Sequence, residues 1–279
     1  MKSPFLLAAA ALYLTSSSAQ TQTPPPMDDH EKAIAAEIGK LRSLPDDEWT
    51  KSVGSVARQI QKLPGSPGKI ALVSHLGNLV TEGDAGQDTL QAVASTLADV
   101  MRAAPNVELY DALARLVRYE HCEVSLDNPK YREALAKLEE DDKRRQDADL
   151  TLTDLKGASW SLKSLRGKVV LVNFWATWCP PCRREMPDME ALSKRFGPSG
   201  LVILAISDEE VAKVQPFIAE KKYTYPILLD PGRKVAEAFA VQGIPKTFVF
   251  DRKGKLVAQA IDRRTERQFL AMLKQAGLE

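Results

Sequence analysis

The sequence predicts two folded regions: an all-helical region over residues 28–140 and an α/β region over residues 141–279, in which helices flank a central mixed β-sheet. Three observations favour this division. Apolar residues recur at helical spacing through the first region. Apolar runs of strand length alternate with helical patterns in the second. The length of 279 residues also fits two domains after the N-terminal residues 1–27 are set aside.

The N-terminus has the features of a secretory signal peptide. Lys2 precedes an apolar run over residues 5–14 that is too short to span a bilayer, and small residues lead to a cleavage position after Ala19. We therefore expect residues 1–19 to be removed and the protein to be periplasmic or otherwise secreted; the alternative is an uncleaved membrane anchor. Residues 20–27 contain three consecutive prolines and predict a stiff, exposed spacer.

The first region predicts three helical hairpins. The helix pairs begin near Asp28, Ser66 and Asn106, a spacing close to forty residues that is typical of helical-hairpin repeats. A plain helical bundle is the alternative. We expect this region to bind a protein partner, to pack on the second region or to form a dimer. Breaker segments separate the helices at residues 45–47, 64–68, 82–86, 105–106 and 127–129.

A charge run over residues 139–149 crosses the boundary between the two regions. It is interpreted as the last helix turning into a solvated linker or as a continuous helical connector. The predicted strands then cover residues 150–153, 159–162, 168–174, 201–206, 225–229, 247–251 and 256–261. The predicted helices begin at Pro180 and cover residues 211–222, 233–240 and 266–276. This order predicts a central mixed sheet flanked by helices.

A pair of cysteines, Cys179 and Cys182, stands where the strand over residues 168–174 gives way to a helix. Residues three apart at a helix start lie on one face, so their sulfurs can meet in a disulfide. Unpaired N–H groups and the positive helix end favour a thiolate at Cys179. Pro180 and Pro181 are tolerated because first-turn residues have no intrahelical partner for their N–H. The sequence therefore predicts a dithiol redox centre.

Other chemistries are less well supported. A structural zinc site usually takes four Cys or His ligands, whereas the chain has three Cys and three His in total, so we expect no metal and no cofactor. A peroxidase would need Thr three residues before the reactive cysteine, where Ala176 stands. The formal net charge of +1 gives no electrostatic support for nucleic-acid binding.

Several motifs in order carry a resemblance to a known family. They are residues 165–182 (LRGKVVLVNFWATWCPPC), 185–187, 243–251 and 254–255. Over residues 141–279 the chain resembles the thioredoxin superfamily and, within it, the bacterial periplasmic thiol–disulfide oxidoreductases of the TlpA/ResA type. The resemblance implies a thioredoxin-like fold, exchange of electrons with protein thiols and disulfides, and an upstream membrane thiol reductant. The resemblance does not extend to the first 140 residues.

The resemblance also implies roles for individual residues. Cys179 would be the exposed attacking thiol and Cys182 the buried resolving thiol. Pro245 would be cis and pack against the disulfide, with the backbone of Ile244 pairing with an extended partner peptide. Trp178, Pro180 and Pro181 are expected to complete this substrate surface. Because the intervening dipeptide has no His or Lys, we expect a moderately lowered pKa for Cys179 and a reducing protein.

The proton acceptor for Cys182 departs from the family pattern. The family often has a buried Asp on the strand before the motif, where this chain has Asn173, which cannot ionise. The resemblance to the ResA-like branch, in which an acid after the next strand serves instead, implies that Glu209 takes the proton. The alternative is that Asp208 and Glu209 only cap the helix that follows.

Two functions remain open from the sequence. The first is a secreted thiol–disulfide oxidoreductase that reduces protein disulfides. The alternative is a binding module, in which the helical region recruits a protein and the thioredoxin-like fold only docks it. The third cysteine, Cys122, is interpreted as a small buried apolar residue, and a disulfide between chains is its alternative.

Overall fold

The computed structural model describes residues 26–105 and 107–279, so the predicted signal peptide and most of the predicted spacer lie outside the described residues. The first part of the chain is all-helical, as the sequence predicted. We call residues 26–147 the helical half and residues 148–279 the sheet half. The helices of the helical half are α1 (Asp29–Lys40), α2 (Asp46–Lys62), α3 (Pro67–Leu79), α4 (Gln87–Ala103), α5 (Val107–Tyr119) and α6 (Pro129–Asp147).

Local signals begin three of these helices where the sequence placed them. The side chain of Asp28 accepts a hydrogen bond from the N–H of Glu31, and the side chain of Glu31 accepts one from the N–H of Asp28, which forms a capping box. Ser66 and Asn128 cap α3 and α6, and a proline follows each of them. Consecutive helices pack as pairs and the pairs pack on one another, which encloses a single apolar core. The repeat interpretation of this packing stays a prediction.

The connector between the halves is helical. The prediction of a solvated linker over residues 139–149 is wrong, because α6 continues through Asp147. The reason is that its charges find partners: Arg145 is buried and its Nε donates to the carbonyl of Phe239 at 3.0 Å. The predicted domain boundary at residue 140 therefore falls inside a helix, and the boundaries stay a prediction.

The sheet half contains the predicted mixed sheet. Among the described residues, the five strands of this sheet lie in the order β5-β4-β3-β6-β7, in which β3, β4 and β5 are parallel and β6 and β7 are antiparallel to their neighbours. A separate hairpin precedes it. The strands are β1 (Thr151–Thr153), β2 (Ser159–Ser161), β3 (Val169–Phe174), β4 (Leu201–Ser207), β5 (Ile227–Leu229), β6 (Lys246–Phe250) and β7 (Leu256–Ala260); the helices are α7 (Pro180–Phe196), α8 (Val211–Lys221), α9 (Lys234–Ala238) and α10 (Glu266–Gln275).

The central strand β3 places the site. All six of its residues are buried, and an apolar cluster covers each face of the sheet. Phe174, its last residue, pairs with Ile206 of β4 and with Lys246 of β6. The segments that follow β3 and β4 and the segment that precedes β6 therefore meet at one edge of the sheet. These three segments carry the predicted site residues.

No helix among the described residues combines the length and the apolar character that a membrane crossing requires.

Candidate active site

The two cysteines form a disulfide at the N-terminus of α7. Their Cα atoms lie 5.3 Å apart. Cys179 is the N-cap, and the N–H of Cys182 donates to Cys179 Sγ at 3.2 Å. The sulfur thus accepts a hydrogen bond from one of the N–H groups that have no partner within the helix. Pro180 and Pro181 occupy the first turn, where neither interrupts a helical hydrogen bond.

Both cysteines are buried in the disulfide form, whereas the sequence analysis expected Cys179 to be exposed and Cys182 to be buried. Cys179 is only 2% exposed and Cys182 is fully buried, so the prediction of an exposed Cys179 is wrong for this form. Both cysteines pack in the apolar cluster that also contains Trp175 and Ala176. Trp178 stands at the rim instead, with 66% of its surface exposed.

The segment before β6 carries a cis peptide bond between Ile244 and Pro245, as the resemblance predicted. Pro245 is buried and Ile244 is half-buried. Among the described residues, neither the N–H nor the carbonyl of Ile244 has a hydrogen-bond partner. An extended peptide could therefore pair with this backbone, because an unpaired strand edge accepts a further strand.

Lys246, next to the cis peptide, is buried against the helical half. Its Nζ lies 5.1 Å from the ring centroid of Tyr119 on α5 and 5.5 Å from that of Phe248. Burial, together with the nearby guanidinium of Arg145, lowers the pKa of Lys246 to about 7.

A buried carboxyl group that the sequence analysis did not single out lies behind the dithiol. Glu185 follows Cys182 by one helical turn and is fully buried. Its Oε1 accepts a hydrogen bond from Asn173 Nδ2 at 2.8 Å, and its Oε2 accepts one from the N–H of Arg264 at 3.1 Å. Asn173 therefore occupies the place of the usual acid and binds a carboxyl group that comes from the helix.

The pKa of Glu185 is raised toward neutral pH. Burial raises its pKa to about 8, although the two hydrogen bonds and the charges of Arg263 and Arg264 oppose the rise. A carboxyl group with such a pKa can hold or release a proton near pH 7, which is what an acid–base group needs.

A signal for Glu185 was present in the sequence. Cys182, Glu185, Met186 and Met189 occur at helical spacing and share the buried face of α7. An acid inside an apolar stripe must be neutralised or hydrogen-bonded, so its position alone identifies an unusual carboxyl group.

Glu209, the predicted proton acceptor, lies at the same edge of the sheet and is largely buried. Its Oε2 accepts a hydrogen bond from the N–H of Thr177 at 2.6 Å, and its Oε1 accepts one from Thr177 Oγ1 at 2.9 Å. The carboxylate thus holds the loop that leads to Trp178 and Cys179. Its role toward Cys182 stays a prediction.

The alternative, that Asp208 and Glu209 cap the next helix, is wrong. The N-cap of α8 is Glu210, and no side chain among the described residues caps it. Asp208 instead forms an ion pair with Arg233.

The helical half reaches the site through two consecutive residues after β7. The guanidinium of Arg263 donates to both carboxylate oxygens of Asp46 on α2, at 2.7 and 2.6 Å. The guanidinium of Arg264 pairs with Glu120, and both of these side chains are buried. We call Asp46, Glu120, Arg263 and Arg264 the charged interface. The N–H of Arg264 is also the group that donates to Glu185.

Cys122 is buried in the core of the helical half, as expected of a small apolar residue, and forms no disulfide within the chain. Burial raises its pKa to about 12, with Glu120 adding to the rise. A thiol of this kind is unreactive at neutral pH.

Comparison with known proteins agrees with this geometry. Residues 144–259 match the model of the AhpC/TSA family. The thiol-disulfide oxidoreductase ResA of Bacillus thuringiensis (strain Al Hakam) is 37% identical over 127 residues, which are 45% of this chain and 73% of that protein. ResA of Halalkalibacterium halodurans is 35% identical over 133 residues, which are 46% of this chain and 76% of that protein.

Among solved structures, a thioredoxin-family thiol:disulfide interchange protein from Chlorobium tepidum TLS is 31% identical, with a TM-score of 0.43, over 46% of this chain and 93% of that one. The similarity to the ResA proteins spans 73% and 76% of their length. The chain therefore belongs to the ResA family of thiol-disulfide oxidoreductases, with a thioredoxin-like fold in its C-terminal half.

Proposed function

We propose that the protein reduces disulfide bonds of partner proteins, in the periplasm or another compartment outside the cytoplasm, through Cys179 and Cys182. The observation that carries this proposal is the cysteine pair at the N-terminus of α7, at the sheet edge that also holds the cis peptide before Pro245. A helix start favours the thiolate that disulfide exchange requires. The dipeptide Pro180-Pro181 adds no cationic side chain, which favours a reducing centre over a strong oxidant.

The reaction has two exchange steps. In the reduced protein the Cys179 thiolate attacks one sulfur of the partner disulfide, so a mixed disulfide forms and one partner thiolate leaves. The Cys182 thiolate then attacks Cys179 Sγ, the second partner thiolate leaves, and the intramolecular disulfide forms. Two electrons have passed to the partner. An upstream thiol reductant at the membrane would return them by the same chemistry.

The second step requires Cys182 to lose a proton inside the apolar cluster. Glu185 is the acceptor that we favour, because it is buried one turn from Cys182 and its pKa of about 8 suits exchange with a thiol. Asn173 and the N–H of Arg264 hold its carboxyl group in place. The carboxyl group and the thiol of such a pair titrate together, so measured pKa values belong to the pair. Glu209 is the competing candidate from the sequence.

The substrate surface is proposed to consist of Trp178, Pro180, Pro181, Ile244 and Pro245. Trp178 supplies exposed apolar area next to Cys179. The free backbone of Ile244 is suited to pair with the peptide that carries the partner cysteine. These groups would position the scissile disulfide over Cys179.

Two measurements test the proposal. The parent protein should accelerate insulin reduction by a small dithiol, and Cys179→Ala should abolish the acceleration. Cys182→Ala should retain partner proteins as mixed disulfides on Cys179, because the second step is blocked, and mass spectrometry can identify them. A parent rate equal to the background would contradict the proposal and favour the binding module.

A further inference from the structure

A groove next to the dithiol is lined by both halves of the molecule. Its volume is about 880 Å³, within the range of about 300–1,000 Å³ that ligand sites occupy. Its lining includes Pro180 and Arg184 of α7, Ile244 and Pro245 before β6, and Arg42 and Glu82 of the helical half. A partner segment that reaches Cys179 along this groove therefore contacts the helical half as well.

The charged side chains of the groove differ in whether they have partners. Arg42 and Glu82 neutralise each other, with 2.9 Å between Nε and Oε2. Arg263 is paired with Asp46. Among the described residues, the guanidinium groups of Arg183 and Arg184 have no ion pair and no hydrogen bond. Cations thus remain in excess beside the dithiol.

Arg184 is the cation best placed to bind a ligand. It lines the groove and is exposed, and desolvation by the groove together with the neighbouring guanidinium of Arg263 lowers its pKa. Two like charges that face one groove repel each other, and a carboxylate between them would relieve the repulsion. A guanidinium also binds a carboxylate with two parallel hydrogen bonds, which fixes orientation.

Besides Glu82, the groove has a second acidic residue in its lining, Asp262. Its carboxyl group accepts a hydrogen bond from Thr81 Oγ1 at 2.5 Å. Burial raises the pKa of Asp262 to about 6. Its carboxyl group is turned to the helical half and forms no ion pair among the described residues, so Arg184 stays free for a ligand.

We propose that the groove selects partner polypeptides that carry an Asp or Glu side chain next to the reacting cysteine, and that Arg184 binds this carboxylate. The proposal rests on the proposed function and specifies its substrate class. The apolar side chains of Pro180, Ile244 and Pro245 contact the extended backbone, and Arg184 selects by charge.

The test uses three synthetic peptides with one intramolecular disulfide each, identical except for Glu, Gln or Lys at the residues that flank the first cysteine. The reduced full-length protein is mixed with each peptide, and the second-order rate constant is followed by tryptophan fluorescence. We expect the Glu peptide to react about threefold to fivefold faster than the Gln peptide, the scale of a partly exposed ion pair, and the Lys peptide to react slowest. Near 1 M salt the three rates should converge, because salt then screens the attraction between charges that lie more than about 3 Å apart.

The variant Arg184→Gln should bring the Glu and Gln peptides to within about 1.5-fold of each other. Lys253→Gln removes an equally exposed cation in the β6–β7 turn, outside the groove, and should preserve the preference. Equal rates for the Glu and Lys peptides with the parent protein would overturn the proposal and leave disulfide reduction intact. Failure to reduce any of the peptides or a small aromatic disulfide would overturn the proposed function together with this proposal.

Discussion

The helical half and the sheet half bury their apolar side chains in separate cores but contact each other through ion pairs. The helical half has one apolar core, and the sheet half has one on each face of its sheet. Between them lies the charged interface, in which Arg263 pairs with Asp46 and Arg264 pairs with Glu120. Apolar burial thus stabilises each half by itself, whereas the ion pairs fix how the halves are placed.

The difference matters because the charged interface ends at the candidate site. The side chain of Arg264 binds the helical half, and its N–H binds Glu185 behind Cys182. A single residue, Arg264, therefore connects the helical half to the buried carboxyl group of Glu185. The motifs of the family resemblance do not extend into the helical half. Glu209 differs from Glu185 in this respect, because its carboxylate accepts hydrogen bonds from Thr177, which belongs to the sheet half.

The largest loss of stability is expected from a substitution in the most deeply buried ion pair of the charged interface. Glu120 and Arg264 have side chains only 9% and 6% exposed, so Glu120→Gln leaves a buried guanidinium without its counter-charge. We expect a loss of about 3–5 kcal/mol in the free energy of unfolding, measured with urea. Asp99→Asn, at an exposed pair with Arg102, is the matched control and should change stability by less than about 0.5 kcal/mol. Equal effects of the two variants would contradict a structural role for the charged interface.

The pH dependence of stability should report Glu185. Its pKa is raised in the folded protein to about 8, so the unfolded chain releases the proton first, and stability falls as pH rises from about 4.5 to 8. Glu185→Gln cannot ionise and should remove this fall. In the disulfide form, the stability of the variant relative to the parent should rise by about 2–4 kcal/mol between pH 5 and pH 8. A difference that stays constant over this range would show that the carboxyl group is ionised in the folded protein.

A smaller effect is expected at the second ion pair. The side chain of Asp46 is 50% exposed, so water can replace it as the partner of Arg263. We expect Asp46→Asn to cost about 1 kcal/mol in urea unfolding at neutral pH. Because Arg263 lowers the pKa of Asp46, this contribution should fade as the pH falls through the lowered value. A loss as large as that of Glu120→Gln would mean that burial depth does not set the strength of these pairs.

What the sequence could predict depended on local patterns. Strand β3 and the start of α7 follow from an apolar run and a Cys-Pro-Pro-Cys helix start, and the motif order predicted the cis peptide before Pro245. Glu185 was visible only as an acid in an apolar stripe. The charged interface had no local signal, because Arg264 and Glu120 are 144 residues apart, and Arg263 and Asp46 are 217 apart.

The central claim is that Glu185, and not Glu209, takes the proton of Cys182. Stopped-flow mixing of the reduced protein with an equimolar aromatic disulfide separates two thiolate releases, the first from attack by Cys179 and the second from attack by Cys182. At pH 7 we expect Glu185→Gln to slow the second release at least about tenfold and to leave the first nearly unchanged, because the variant loses its proton acceptor. Glu209→Gln should change the second release by less than about threefold, since its carboxylate holds Thr177. A second release slowed by Glu209→Gln and unaffected by Glu185→Gln would contradict the account.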